Sequence, residues 1–454
     1  MTDLKNKKIL IVGLGESGLA AVRALIPCGA LLSVQDQKSG ADMAPETVSL
    51  FKSNDIRCYL GETPSESEKF DMLVLSPGVP PDLEFIKKAR QNGSEAIGEM
   101  ELAYRLCKGS FAAITGTNGK TTTTALLGEI FKNAKKDAFV VGNIGTAAIS
   151  AVNDATSGSW LITEVSSFQL ETIKDFRPRI SAILNITPDH LDRHGDMKSY
   201  IEAKARIFEN QSEGDHFIVN YDDETAFRLS QRCKAKVTPF SRLSELKTGV
   251  FLKDGMISAR GENGEYTEIC RADAILLKGS HNLENALAAA AMALCAKIPA
   301  DIIAQTLLSF GGVPHRLEPC GVINGVSFVN DSKGTNPDAS IKAVEAVDGP
   351  IILIAGGYDK KSNFEEFIDS FGGKVKSLIL LGDTARIIKE TAENKGFHNI
   401  VILKNMDECV KEAFRAAAAG DTVLLSPACA SWDMYSNFSE RGEDFKDCVR
   451  RLLR

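Results

Sequence analysis

The run Ile114-Thr-Gly-Thr-Asn-Gly-Lys-Thr-Thr-Thr123 combines residue types that bind phosphate. An apolar, strand-like segment precedes it and a helical pattern follows it, so backbone N–H groups and the positive end of a helix dipole would converge at the glycine turn. Lys120 can reach terminal phosphate oxygens, and the Thr121 hydroxyl can bind a phosphate-bound Mg²⁺. The loop is tighter than a Walker A loop, whose first glycine would fall at Ile114. The alternative is a Gly/Asn turn before a threonine-capped helix, but the run favours nucleotide phosphate binding.

Three further features in the middle of the chain could serve a phosphate or a metal ion. Glu164 ends a strand-like segment, where a carboxylate can hold Mg²⁺ or simply be solvated. The loop around Asp189 contains His190 and His194, and its alternative interpretation is a proline turn with both histidines on the surface. Lys204 lies in a helical pattern, where a lysine is most often solvated or extends its ammonium group to the surface.

Two asparagines open an alanine-rich helix that is predicted from Asn282 to about Ala296. Asn282 and Asn285 are three residues apart and share a helix face. N-capping would account for Asn282 but not for Asn285, which is a mediocre helix former. Amides on one face suit the recognition of a base or a phosphate.

Polar loops recur toward the C-terminus. Arg316 follows a linker-like Gly-Gly-Val-Pro run, where an arginine can complete a phosphate site or lie on the surface. The loop 330–337 combines Asp, Lys, Thr and Asn, a composition expected of a ligand site. The segment 425–438 interleaves serines and aromatic residues, which is typical either of a small-substrate pocket or of a cap on a sheet.

Strand and helix patterns must position these residues, and they predict three α/β domains. The first begins with Lys8-Ile-Leu-Ile-Val-Gly-Leu-Gly-Glu-Ser-Gly18, a strand and a GxGxxG turn, and Asp36 ends its second strand where a ribose-binding acid is found in dinucleotide folds. The second contains the phosphate loop on a mostly parallel sheet. The third again alternates strands and helices without a GxGxxG. The predicted boundaries are 1–98, 99–312 and 313–454.

Composition narrows the class of protein. The chain has 454 residues, of which 44% are hydrophobic and 25% charged, and its net charge of -7 argues against a nucleic-acid partner. The N-terminus runs directly into a strand and leaves no room for a signal peptide, and no apolar stretch is long enough to span a bilayer. Ten cysteines without a CxxC pair predict reduced, mostly buried thiols. We therefore expect a cytoplasmic globular protein with no membrane or nucleic-acid partner.

In this order, the motifs resemble the Mur ligase family of ATP-dependent amide-forming enzymes, and the resemblance covers essentially the whole chain. It rests on Gly-Thr-Asn-Gly-Lys-Thr at 116–121, Glu164, Asp189-His190, Lys204, His281-Asn-x-x-Asn285 and His315-Arg316. Within the family, Asp331-Ser-Lys-Gly-Thr-Asn336, Ser426-Pro-Ala-Cys-Ala-Ser431, Asp433-Met434, Asn437-Phe438 and Arg441-Gly442 are similar to the members that add D-glutamate. One departure is Gln37, where threonine is familiar.

The resemblance implies the fold, the reaction and a role for each residue. It implies a Rossmann-like N-terminal domain that binds a uridine nucleotide without NAD, a central P-loop-type ATPase domain and a Rossmann-like C-terminal domain. The implied substrates are ATP, UDP-N-acetylmuramoyl-L-alanine and D-glutamate. ATP would activate the L-alanine carboxylate as an acyl phosphate, and D-glutamate would then be joined to it. The implied enzyme is monomeric and belongs to peptidoglycan precursor synthesis. The implied catalytic residues are Lys120, His190, Lys204 and Arg316.

The binding residues follow from the same resemblance. Those for ATP are Gly116, Thr117, Asn118, Gly119, Lys120, Thr121, Thr122, Asn143, Asn282, Asn285, Arg316 and Asp331. Those for the UDP substrate are Gly15, Glu16, Ser17, Asp36, Gln37, Ser76, Pro77 and Gly78. Those for D-glutamate are Lys333, Thr335, Lys360, Ser431 and Phe438. Two Mg²⁺ ions are implied, one on Thr121 and Glu164 and the other on His190 and Lys204, with Lys204 carrying a carbamate made from CO₂.

Three alternatives remain. A related Mur-type ligase could add another amino acid, such as L-alanine or a diamino acid, or the chain could be a folate polyglutamating ligase. The N-terminal GxGxxG with Asp36 could indicate an NAD-dependent dehydrogenase, although that reading leaves Gly-Lys-Thr-Thr unexplained. A non-catalytic, nucleotide-gated binding module would bind ATP without amino-acid-stimulated turnover.

Overall fold

The computed structural model describes residues 4–40, 43–143, 146–189, 191–277, 279–358 and 362–452. They form two compact units, residues 1–310 and 311–454. The first unit contains two sheets and the second contains one. Within the described ranges, no helix combines the length and the apolar composition needed to cross a membrane.

The first sheet has five parallel strands in the order β3-β2-β1-β4-β5. Its central strand is apolar on both sides because both faces of the sheet are covered: Ile9 and Ile11 pack in the cluster of the first helix, whereas Leu10 and Val12 pack in the cluster of the third. The elements are β1 Lys8–Val12, α1 Glu16–Leu25, β2 Leu31–Asp36, α2 Pro45–Ser53, β3 Arg57–Leu60, β4 Met72–Leu75, α3 Glu84–Gln91 and β5 Glu95–Gly98. The helix α4, Glu99–Leu106, leads into the second sheet.

The second sheet has nine strands in the order β14-β13-β12-β11-β10-β9-β6-β8-β7. Pairs from β7 to β12 are parallel, and β12, β13 and β14 pair antiparallel at one end. The strands are β6 Ser110–Thr115, β7 Ala138–Gly142, β8 Trp160–Glu164, β9 Ile180–Ile183, β10 His216–Asn220, β11 Lys236–Ser241, β12 Gly249–Lys253, β13 Met256–Arg260 and β14 Tyr266–Arg271. The helices are α5 Lys120–Asn133, α6 Ser167–Leu170, α7 Leu191–His194, α8 Met197–Ala205, α9 Glu224–Leu229, α10 Ser280–Cys295 and α11 Ala300–Ser309.

The second unit has a six-stranded sheet in the order β15-β16-β20-β17-β18-β19, parallel except where β15 pairs with β16. Its strands are β15 Glu318–Ile323, β16 Val326–Asn330, β17 Ile351–Ala355, β18 Val375–Leu380, β19 Ile400–Ile402 and β20 Thr422–Leu425. Its helices are α12 Pro337–Ala346, α13 Glu365–Asp369, α14 Ala385–Asn394, α15 Met406–Ala416 and α16 Phe438–Leu452.

The predicted alternation of strands and helices is confirmed in all three sheets, with shifts at element ends. The alanine-rich helix begins at Ser280, two residues before Asn282. The strand β9 ends at Ile183, which leaves Asn185 in a loop. All ten cysteines are free thiols; four are buried, five are partly buried and Cys58 is exposed.

Candidate nucleotide-phosphate and substrate site

The phosphate loop joins the carboxyl end of β6 to the first turn of α5, which begins at Lys120. Gly119 has a φ of 85°, and a Cβ at this position would lie 2.1 Å from Asn285 Oδ1, so only glycine fits the turn. The N-terminal N–H groups of α5 therefore face the loop, as a phosphate site requires. Thr115 Oγ1, immediately before Gly116, is buried and has no hydrogen-bond partner within the described part of the chain.

Asn185 holds the loop in shape. Its side chain accepts from the N–H of Asn118 at 2.8 Å and donates to the Asn118 carbonyl at 3.1 Å. Its own carbonyl accepts from the N–H of Thr117 at 3.0 Å. Sequence reasoning did not assign Asn185 a role; its position just beyond β9, beside the phosphate strand, is the signal that could have found it.

Two lysine ammonium groups converge on one carbonyl. Lys120 Nζ donates to Gly116 O at 2.8 Å and to Thr117 O at 2.9 Å, and Lys204 Nζ donates to the same Gly116 O at 2.9 Å. Lys204 is only 2% exposed and lies 4.5 Å from the ring of Tyr200. Burial first, and then the charge of Lys120, hold the pKa of Lys204 well below its usual value. The interpretation of Lys204 as a solvated helix lysine is therefore wrong.

A buried carboxylate lies at the next strand end. Glu164 ends β8, which pairs with β6, and is 2% exposed. Asn143 donates to it twice, from Nδ2 to Glu164 Oε1 at 3.2 Å and from its N–H to the Glu164 carbonyl at 2.9 Å. The hydroxyl of Thr121, the carboxylate of Glu164 and the unpaired hydroxyl of Thr115 are hard oxygen donors, which fit Mg²⁺. His190 lies outside the described residues, and no group of three or more His, Cys, Asp or Glu with metal-binding spacing occurs among the described ones.

The two predicted amides lie beside the loop. Asn285 Oδ1 accepts from the Thr123 hydroxyl at 3.3 Å, and its Nδ2 donates to Asn282 Oδ1 at 3.3 Å. This pair confirms that Asn282 and Asn285 share a face, and the structure brings them to the first turn of α5. Thr122 is buried in the same turn.

His194 is not on the surface, which corrects the proline-turn interpretation. Its side chain is 3% exposed, with Nε2 3.0 Å from the Ser167 hydroxyl and Nδ1 3.3 Å from Glu171 Oε1. Its ring stacks on Phe168 at 5.3 Å. These contacts fix α7 against α6.

The predicted uridine-nucleotide residues lie at the carboxyl ends of β1, β2 and β4. Ser76 Oγ donates to Gly13 O at 2.7 Å, and the carboxylate of Asp36 accepts from the N–H groups of Leu14 at 2.6 Å and Lys38 at 2.9 Å. The Asp36 carboxylate thus stabilises the glycine turn through its hydrogen bond from Leu14. Beside these ends is a cavity of about 530 Å³ whose lining includes Asp36, Gln37 and Gly78, whereas Gly15, Glu16 and Ser17 begin α1.

The second unit gathers the predicted third-domain residues at the ends of β16 and β20. Asp331 is 5% exposed and accepts from the Ser426 hydroxyl at 2.8 Å and the Leu317 N–H at 3.2 Å. Burial raises the pKa of Asp331 to about 6. Lys333 Nζ lies 5.6 Å from the centre of the Phe438 ring.

The remaining third-domain residues are placed as follows. Thr335 and Arg316 belong to turns in this unit, where their N–H groups donate to Lys333 O at 2.9 Å and Val313 O at 3.1 Å. Ser431 is 2% exposed. Lys360 lies outside the described residues.

Arg441, which sequence reasoning noted only as part of a motif, joins the loops that carry these residues. It is 2% exposed and donates to Ser332 Oγ at 3.0 Å, Ser332 O at 2.8 Å, Cys429 O at 3.1 Å and Ala430 O at 3.1 Å. Burial lowers the pKa of Arg441 to about 10. The guanidinium therefore connects the loop after β16 to the loop after β20.

A phosphate loop on a mostly parallel sheet, with a Rossmann-like sheet before it and another after it, defines a three-domain α/β nucleotide-using protein. Three domain families match consecutive segments: the Mur ligase MurD-like N-terminal domain at residues 7–98, the Mur ligase middle domain at 114–293 and the Mur ligase glutamate ligase domain at 315–429. The chain belongs to the Mur ligase family, and the predicted three-domain fold and ligase class are confirmed.

Similar curated proteins span the whole chain. The UDP-N-acetylmuramoylalanine--D-glutamate ligase of Thermoanaerobacter pseudethanolicus is 50% identical, with 100% of both chains covered. The enzyme of the same name from Clostridioides difficile is 49% identical, covering 99% of this chain and 100% of its own.

Solved structures share the fold. The UDP-N-acetylmuramate-alanine ligase MurC of Thermotoga maritima has a TM-score of 0.58 at 19% identity, covering 98% of this chain and 99% of its own. The MurF ligase of Thermotoga maritima in complex with ADP has a TM-score of 0.55 at 18% identity, covering 86% of this chain and 98% of its own.

Proposed function

We propose that this chain joins D-glutamate to UDP-N-acetylmuramoyl-L-alanine and converts ATP to ADP and phosphate, a step of peptidoglycan precursor synthesis. The observation that carries the proposal is the 50% identity, over the full length of both chains, to a ligase named for this reaction. The substrates are water-soluble nucleotide and amino-acid molecules, so we expect an enzyme that acts in the cytoplasm. We also propose that it is monomeric, as the family resemblance implies.

The chemistry requires an activated carboxyl group, because a free carboxylate has no usable leaving group. Transfer of the γ-phosphoryl group of ATP to the L-alanine carboxylate gives an acyl phosphate and ADP. The amine of D-glutamate then attacks the carbonyl carbon, inorganic phosphate leaves, and the amine loses a proton as the amide forms. The first step brings two anions together, so cations at the phosphate loop lower its barrier.

The residues of this chain supply that environment. The N–H groups of the loop 116–122 bind the ATP phosphates, and Lys120 stabilises charge on the transferring phosphoryl group. We assign Asn143, Asn282 and Asn285 to binding of the nucleotide. We assign Arg316 the role of a phosphate ligand and Asp331 that of a ribose ligand. The geometry that supports this is the fixed loop, with Gly119 against Asn285 and Asn118 held by Asn185.

Mg²⁺ would be held by Thr121 and Glu164, and a second ion by His190 and a carbamate on Lys204; bound there, the ions neutralise phosphate charge. The support for a carbamate is electrostatic. Lys204 is buried beside a second ammonium group, that of Lys120, on one shared carbonyl. Addition of CO₂ to the neutral amine, with loss of a proton, replaces that repulsion by attraction.

D-Glutamate carries two carboxylates, and cations suit both. We assign its binding to Lys333, Thr335, Lys360, Ser431 and Phe438, and that of the uridine nucleotide to Gly15, Glu16, Ser17, Asp36, Gln37, Ser76, Pro77 and Gly78. The convergence of Lys333, Phe438 and the Arg441-linked loops in one unit supports the first set.

The test is phosphate release from ATP with UDP-N-acetylmuramoyl-L-alanine and one amino acid at a time. We expect release with D-glutamate and not with L-glutamate, L-alanine or a diamino acid, and a product extended by one glutamate in the mass spectrum. Release with another amino acid, or with a folate and L-glutamate, would replace the proposal by that ligase. ATP binding without any amino-acid-dependent release would favour the binding module.

A further inference from the structure

The loops assigned to the uridine nucleotide contain no cation. They comprise residues 13–17, 36–37 and 76–78, and their only charged side chains are those of Glu16 and Asp36. A diphosphate carries negative charge, and Glu16 in the first turn of α1 opposes an anion at that helix end. The N–H groups of the turn can bind phosphate, and a positive side chain from another part of the chain would add electrostatic stabilisation.

Arg193 of α7 is a cation fixed in place beside these loops. Its guanidinium lies 4.0 Å from the centre of the Phe168 ring, and its Nη2 is 3.3 Å from Glu171 Oε2. The neighbouring His194 contacts Ser167 of α6 and Glu171, the residue that follows α6. The side chain of Arg193 is still 30% exposed, so the guanidinium is oriented but accessible.

Arg193 shares a small cavity with the end of β4. Ser76 and Pro77 line one part of its wall, Phe168 and Gln169 another, and Arg193 is the one cation among the described residues that line it. Ser76 also donates to Gly13 O, which ties this wall to the glycine turn of β1. Ser76 therefore connects the cavity wall that contains Arg193 to the turn where the diphosphate would bind.

Glu99 is the carboxylate that faces the same cavity, and it bears on the charge there. Its Oε1 accepts from the Ile149 N–H at 2.7 Å, and its Oε2 is buried without a partner in the described part of the chain. Burial raises the pKa of Glu99 to about 7, which leaves a large fraction of it neutral near that pH. The carboxylate that the structure pairs with Arg193 is that of Glu171, outside the cavity lining.

We propose that Arg193 binds the diphosphate of the uridine-nucleotide substrate, so that the middle domain supplies a cation to loops of the first domain that contain none. The planar guanidinium can donate two parallel hydrogen bonds to phosphate oxygens while it remains stacked on Phe168. The inference rests on the proposed function, because it presupposes a uridine-nucleotide substrate.

The test compares ligands that differ only in phosphate content. Uridine, UMP and UDP are titrated by calorimetry without Mg²⁺ into the wild-type protein and the variants Arg193→Met and Arg193→Lys. Arg193→Met keeps the apolar contact with Phe168 and removes the charge. We expect its Kd for UDP to rise about tenfold or more, its Kd for uridine to stay unchanged, and Arg193→Lys to recover part of the loss. Arg232→Ala, which breaks an exposed ion pair with Glu202 elsewhere in the unit, is the matched control and should bind as wild type.

The change in Kd for UDP, relative to the change in Kd for uridine, distinguishes phosphate binding by Arg193 from a structural role. An equal loss for uridine and UDP would show that Arg193 only holds the fold, and an unchanged Kd for UDP would rule out the contact; both results overturn the inference and leave the ligase proposal standing. If a thermal melt shows that Arg193→Met is unfolded, the Kd values of Arg193→Lys for uridine and UDP are compared with those of wild type instead. A weaker affinity for UDP alone would support the inference, and equal losses or no loss would overturn it. Failure of the wild-type protein to bind UDP would overturn the proposed function together with the inference.

Discussion

The ammonium groups of Lys120 and Lys204 share the Gly116 carbonyl, although Lys204 is almost completely buried. Two like charges in a poorly solvated place are unfavourable, and the hydrogen bond that the structure describes for the Lys204 ammonium group goes to the Gly116 carbonyl. Such an arrangement favours a neutral or negatively charged derivative of Lys204. The carbamate that we propose would remove this repulsion and would supply oxygen ligands at the phosphate loop.

At the residue scale we predict that Lys204→Ala lowers ligase turnover about a hundredfold or more, because a charge-stabilising group at the reacting phosphate is lost. Acetate or formate should restore part of the activity, since a free carboxylate can occupy the space of the missing anion. The measurement is ADP release with and without the added carboxylate. Lys198→Ala, an exposed lysine of the same helix, is the control and should keep full activity. Full activity of Lys204→Ala would contradict the carbamate role.

At the element scale, the unit of function is the strand β6 with its loop and α5. Two neighbouring elements contact the loop. Asn185, beyond β9, forms hydrogen bonds with the backbone of Asn118, and Asn285 of α10 lies against Gly119. The loop is thus rigid before ATP binds, which lowers the entropic cost of organising the N–H groups around phosphate.

We predict that Gly119→Ala abolishes measurable ATP binding. The added Cβ would lie 2.1 Å from Asn285 Oδ1 and 3.3 Å from Leu184 Cδ1, at a φ of 85° that disfavours alanine. Calorimetric titration with a non-hydrolysable ATP analogue measures the effect. Gly158→Ala, at an exposed turn of the same domain with only Thr156 Oγ1 within 4 Å of the new Cβ, should bind normally and change stability by less than about 0.5 kcal/mol. Normal ATP binding by Gly119→Ala would refute the tight-loop geometry.

Strands with a clear local pattern of apolar residues could be predicted from the sequence, and strands without one could not. The apolar run of β1, which is buried on both faces of its sheet, was predicted as a strand. The strands β3 and β5, which read Arg-Cys-Tyr-Leu and Glu-Ala-Ile-Gly, were not, because their half-polar sequences carry no clear period. They become strands by pairing with β2 and β4 at the two edges of the sheet.

At the scale of the whole molecule, α4 connects the first sheet to the middle domain through buried carboxylates. Glu101 is fully buried and accepts from the N–H groups of Lys174 at 2.8 Å and of Asp175 and Phe176 at 3.0 Å, and Arg105 donates to it at 2.8 Å. Glu99, two residues earlier, has one backbone donor and one oxygen without a partner in the described part of the chain. Ionisation of the Glu99 carboxyl group is therefore costly.

We predict that Glu99 makes the stability of the first unit depend on pH. Burial raises its pKa from 4.5 to about 7 in the folded protein, so the folded state binds the proton more tightly than the unfolded chain. Stability from this group is fully present below pH 4.5 and is lost as pH rises toward 7. Between pH 5 and pH 8 the free energy of unfolding of wild type should fall relative to Glu99→Gln by about 2 kcal/mol.

Urea unfolding of both proteins at several pH values checks this prediction. The relevant quantity is how the difference in free energy of unfolding between wild type and Glu99→Gln changes with pH. Any pH-independent effect of the glutamine amide on stability cancels in that change. Glu213→Gln, an exposed carboxylate in the same unit, should track wild type at every pH. A pH-independent gap between wild type and Glu99→Gln would show that the carboxyl group ionises as readily in the folded state.

Sequence by itself determined the alternating α/β elements, the phosphate loop with Lys120 and Thr121, and the family, because turn glycines, apolar periods and short polar motifs are local. Tertiary structure alone decided that Lys204 is buried against Lys120, that Asn185 and Asn285 shape the loop, and that Arg193 faces Ser76 and Pro77. These pairs are far apart in the chain, and only the packing of strands and helices sets their distance, their solvation and hence their charge state.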